Sequence, residues 1–190
     1  MTASGRGDRA RTLRGIRLCL GILIVGLVVS GVTAFPLREE LRLAAGVLDG
    51  SVLSALLPDA TAWVNRVADA LADTGTRYPF IAYGTDWLAF AHLVIAVVFV
   101  GPLIDPVRNI WVIQFGVIAC AGIVPLALIA GSVRGIPLGW QLIDMSFGVL
   151  GVIPVAIAWR LTRRLERMDA ARSTDPPDDV ENRDPVPSPL

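Results

Sequence analysis

The stretch YGTDWLAFAHLVIAVVFVGPLIDPVRN, Tyr83 to Asn109, decides how the chain is read. It carries the only histidine, His92, inside an apolar run. It then closes on Asp105-Pro106-Val107-Arg108-Asn109, and a second apolar run begins. A membrane helix needs about 20 consecutive apolar residues, and this run supplies them. An imidazole inside such a segment is costly unless it is paired or used. The stretch therefore sets a membrane architecture and marks the first candidate site.

Outward from it, the composition agrees. Hydrophobic residues make up 54% of 190 positions and the mean hydropathy is +0.61, too apolar for an ordinary soluble domain. Span two covers residues 85–103 and span three 106–130, with Asp105 as N-cap and Pro106 at the first helical position. The short link predicts an antiparallel hairpin of these two spans. Span four covers 140–159, with Pro154 placed to bend it.

Upstream, residues 1–17 form a basic cytoplasmic segment and 18–35 an uncharged span one. A cleaved signal peptide is the competing reading, with Val32 and Ala34 at the −3 and −1 positions. The apolar run exceeds the roughly 7–15 residues of such peptides, which favours a retained anchor. Residues 36–84 are expected to form an extracytoplasmic helical segment: one helix to Leu48, broken at Asp49-Gly50, and another from Asp59 to Asp73. Residues 160–172 continue span four as a basic helix. The Asp- and Pro-rich tail, 173–190, has too little apolar surface to order.

Every one of the 17 basic residues is arginine. With the N-terminus inside, twelve arginines fall on the inner face and five on the outer, as the positive-inside rule requires. Trp87 and Trp140 fall at outer span ends, Trp111 and Trp159 at inner ends. The expected fold is therefore all-α: a four-helix transmembrane bundle with an extracytoplasmic helical cap between spans one and two. The expected location is the plasma membrane, multi-pass, with both termini cytoplasmic.

The ionisable groups gather in the outer half. Asp86 opens span two, with His92 roughly 10 Å deeper and Asp144 roughly 6 Å into span four. Side chains lean toward the helix N-terminus, outward for both, so a His92–Asp144 contact is possible in depth. Thr85, Ala89 and Ala96 share the His92 face, and Gly148 and Gly151 share the Asp144 face; small faces let helices approach. Two readings stand. The pair is polar glue between helices, or it is a protonatable catalytic site, with Asp86 beside it, under the outer leaflet.

Arg108, Arg134, Arg160, Arg163 and Arg164 read as contacts to lipid headgroups, as basic span flanks usually are. Cys19 and Cys120 lie in different spans and read as small buried apolar residues. There is no GxSxG, P-loop, HExxH or dinucleotide fingerprint, and no metal-ligand spacing; no cofactor, metal or nucleic acid is expected. The runs YGTDWLAFAH, DPVRNIWVIQFG and RGIPLGWQLIDMSFG resemble a family of small, uncharacterised bacterial four-span membrane proteins, over residues 78–159. The resemblance implies the fold class and no activity.

The function expected is that of a non-enzymatic accessory or interaction subunit. Its partners are the lipid bilayer and a protein partner or second copy, met through spans or cap. The alternative is a membrane-embedded enzyme or carrier acting on a lipid or small apolar substrate through His92 and Asp144.

Overall fold

The computed structural model describes residues 3–173; the rest of the tail read as disordered lies outside the described residues. Among the described residues every element is helical. In chain order they are α1 (Ala3–Ala34), α2 (Leu37–Leu48), α3 (Val52–Leu56), α4 (Pro58–Arg77), a 3-10 turn (Pro79–Ile81), α5 (Ala82–Val98), α6 (Val100–Ile104), α7 (Ile110–Val133) and α8 (Leu138–Ser173). Four segments are long and apolar enough to cross a membrane: α1, the run Pro79–Ile104, α7 and α8.

Local chemistry sets the breaks. Gly50, at φ +73°, turns the chain after α2, and the Ser51 hydroxyl caps α3 by accepting from Ser54 N at 3.3 Å. Pro58 opens α4, with Asp59 in its first turn and Arg77 in its last, both favourable to the helix dipole. Gly135, at φ +65°, ends α7. There Ile136 N donates to Gly131 O at 2.9 Å and Gly135 N to Ser132 O at 3.3 Å, a Schellman closure.

The order of packing differs from the expected hairpin. α5 packs on α1, α1 on α8, and α8 on α7, so the first and last spans lie between the two middle ones. The reason lies in the small faces. A Cβ added at Gly31 of α1 would stand 2.9 Å from Ala89 O of α5, and one at Gly148 of α8 would stand 2.6 Å from Cys120 O of α7. Backbones approach where small residues face them, and these two approaches pair α5 with α1 and α8 with α7. The link from α5 to α7 also differs from expectation. Asn109 Nδ2 donates to Asp105 O at 2.9 Å and to Gly101 O at 3.2 Å, which holds 105–109 as a turn. Asp105 Oδ1 accepts from Arg108 N at 3.1 Å within that turn, and α7 starts at Ile110 instead of Pro106.

The hydrophobic core is Ile16, Leu20, Phe99, Ile113, Val155, Ala158 and Leu165. Phe99 carries α5 to the other pair: a Cβ added at Gly116 would lie 2.7 Å from its ring. All of these residues lie toward the end that carries the charged turns of α1 and α8, here the basic end. The buried hydroxyls there are satisfied by their own helices, Thr12 donating to Asp8 O at 3.0 Å and Thr162 to Ala158 O at 2.8 Å. Arg9 clasps Asp169 through two bonds, Nε at 2.8 Å and Nη2 at 3.1 Å. At the opposite end α2 and α4 pack on each other as a hairpin between α1 and α5, with Val64 buried. At most 22% of any span's apolar window is buried inside the chain, so most of the apolar surface faces outward.

Candidate functional site

His92 and Asp144 stand on α5 and α8, which are not a closely packed pair. The His92 Nδ1 donates to Leu88 O of its own helix at 2.8 Å. A carbonyl can only accept, so Nδ1 carries a proton in this contact. Asp144, half-buried, has no hydrogen bond or ion pair among the described residues, and none joins it to His92. The depth and the small faces were legible. The partner of each face was not: the Gly148–Gly151 face meets α7 at Cys120, and the Ala89 face meets α1 at Gly31.

Asp86 lies apart from both. It lines a cavity of about 110 Å³ where α1, α2, α4 and α5 meet, with Arg38, Thr74, Thr85 and Tyr78. Beside it Tyr83, Trp87 and Phe90 form an exposed aromatic ladder, edge to face at 6.0 Å in both steps. Such ladders suit the interface level of a bilayer.

The basic end gathers its arginines. Arg160, Arg163, Arg164 and Arg167 line a cavity of about 400 Å³ against Trp159. Arg163 pairs with Glu166 at 3.2 Å; the other three meet no carboxylate within ion-pair distance among the described residues. Arg108 and Arg134 are exposed on the α6–α7 turn and at the end of α7, likewise without ion pairs among the described residues. Among the described residues no three His, Cys, Asp or Glu side chains gather as a metal site, and both cysteines are free thiols.

A cavity of about 730 Å³ lies at the hairpin end. α3 and the start of α4 form one wall with Leu56, Leu57, Asp59, Trp63 and Arg66. The α7–α8 loop and first turns of α8 form the other, with Pro137, Trp140 and Ile143. Its size falls within the roughly 300–1,000 Å³ of small-molecule sites, and its walls are apolar with two charged groups. Sequence reasoning placed Trp63 on a helix face and Trp140 at a span end. It had no signal for which loop the α2–α4 hairpin would overhang.

Compared with protein-family models, curated protein sequences and solved structures, the chain matches none.

Proposed function

We propose that this chain is an integral protein of the bacterial plasma membrane that works by contact, as an accessory or interaction subunit. Both termini lie in the cytoplasm and the α2–α4 hairpin outside. The observation that carries this reading is the separation of His92 and Asp144. The two groups best suited to proton chemistry sit on helices that are not a closely packed pair, and the imidazole Nδ1 is held by its own helix. Meanwhile α2 presents Leu43 and Val47, 66% and 74% exposed, one turn apart on one face. Apolar side chains exposed that far on a helix suit a protein partner.

Photo-crosslinking in intact membranes tests it. A photoreactive residue at Leu43 or Val47 is expected to give one discrete protein adduct, and the same residue at buried Val64 none. Lipid adducts alone at both exposed positions would sink the reading. The carrier or enzyme alternative draws support from one observation, the Asp144 carboxyl within an apolar helix, unpartnered among the described residues, which is how ion pathways are usually marked. Loss of a transport or lipid-modifying phenotype in Asp144→Asn, with normal adducts, would favour it.

A further inference from the structure

The cavity between α4 and the start of α8 differs in kind from the one at the basic end. The latter is lined by arginines and one tryptophan, a surface for anionic headgroups. The former carries one anion and one cation, Asp59 and Arg66, with Trp63 between them on the same face of α4 and Trp140 opposite. Residues 59, 63 and 66 recur at helical spacing, so the two charges line one groove about two turns apart. The arginine stem leans toward the helix N-terminus, which shortens that separation. Neither charge has an ion-pair partner within the chain among the described residues: the salt bridges of the hairpin are Arg42–Glu39 and Arg77–Asp73.

The groove also continues into surface meant for hydrocarbon. Its wall residue Ile143 belongs to the apolar part of α8, where Leu142, Phe147 and Leu150 are exposed along the same helix. A molecule lodged here would have its polar part between α4 and the α7–α8 loop and its apolar part against α8. Indole rings at the same level suit that boundary. We infer that this groove holds the headgroup of a zwitterionic phospholipid, its phosphate against Arg66, its ammonium against Asp59, and its acyl chains along α8. One charge of each sign is what sets this occupant apart. An anionic lipid such as phosphatidylglycerol brings its phosphate near Asp59 with no ammonium to offset the carboxylate, whereas a headgroup carrying both charges satisfies both side chains.

Native mass spectrometry of the full chain in detergent tests it, with dioleoyl phosphatidylethanolamine, phosphatidylcholine or phosphatidylglycerol added in turn. Both zwitterionic lipids are expected to bind at least about fivefold more than phosphatidylglycerol, on the scale of one charge-assisted bond. Arg66→Gln and Asp59→Asn should each lower zwitterionic binding by about tenfold, and Asp59→Asn should also raise phosphatidylglycerol binding. Arg77→Gln, an equal loss of charge at the far end of α4, where the side chain pairs with Asp73, should change neither. All three α4 positions are exposed, so the variants should fold. Preference for phosphatidylglycerol in the unmodified chain would overturn the inference, as would equal effects of Arg77→Gln and Arg66→Gln. None of these outcomes depends on a protein partner.

Discussion

A methyl group added at Gly148 would stand 2.6 Å from the Cys120 carbonyl oxygen and 3.0 Å from Ile123 Cβ; one added at Gly122 would meet nothing within 4 Å. Both glycines sit inside helices, where alanine is better by about 1 kcal/mol when there is room. Gly122→Ala should therefore raise thermal stability in detergent slightly. Gly148→Ala should lower it by about 1–3 kcal/mol, because backbone must move. The reverse order would mean that α7 and α8 do not approach there. The same reasoning separates the histidine from the aspartate. With no bond between them, His92→Ala and Asp144→Ala should be additive within about 0.5 kcal/mol in unfolding experiments. A larger coupling would restore the pair as a site. Periodicity made it legible that Ala89, Ala96 and Gly148 are buried. It could not say what buries them, since a small face is equally open to any neighbour with another.

The helices carry the next scale. α1 and α8 run together from Ile16 and Leu20, packed with Val155, Ala158 and Leu165, out to the Arg9–Asp169 clasp at 2.8 Å. Both clasp side chains are more than a third exposed, so water and salt screen them. Asp169→Asn should cost no more than about 1 kcal/mol, and the cost should shrink on raising salt from 0.05 to 1 M. A cost that does not change with salt would point to packing instead of charge. The four spans, α2 and α4 were legible from uncharged runs, from Pro58 ahead of α4 and from the break at Asp49-Gly50; α3, a single short turn of helix between them, was not. The start of α7 was not, because the Asp105-Pro106 signal competes with the Asn109 amide, which ties the turn from inside.

Across the whole molecule, α1 belongs to the fold as a packed member. It touches α5 at Gly31 and α8 along its charged half. Intact mass of the membrane-extracted chain should therefore retain residues 1–34, against cleavage after Ala34. A reporter inserted at Gly75 should be extracytoplasmic and one fused after Arg172 cytoplasmic, as the arginine asymmetry requires. The opposite pair of results would invert the proposed orientation. The groove under α4 was not readable from the sequence. It exists only because the hairpin overhangs a loop about 80 residues further along the chain.

The contact between α1 and α8 also fixes an order of events during synthesis. α1 leaves the ribosome first, and the residue that Arg9 grips is 160 positions behind it. α5, the other neighbour of α1, emerges well before that. Between the emergence of α5 and that of α8, α1 and α5 are the assembled half, and the face that takes Val155, Ala158 and Leu165 is left open. Closing that face is the last step, and every nascent chain that stops short of α8 keeps it open. An exposed intramembrane seam of this kind distinguishes unfinished chains from finished ones, which is the feature that membrane proteases and insertion chaperones act on.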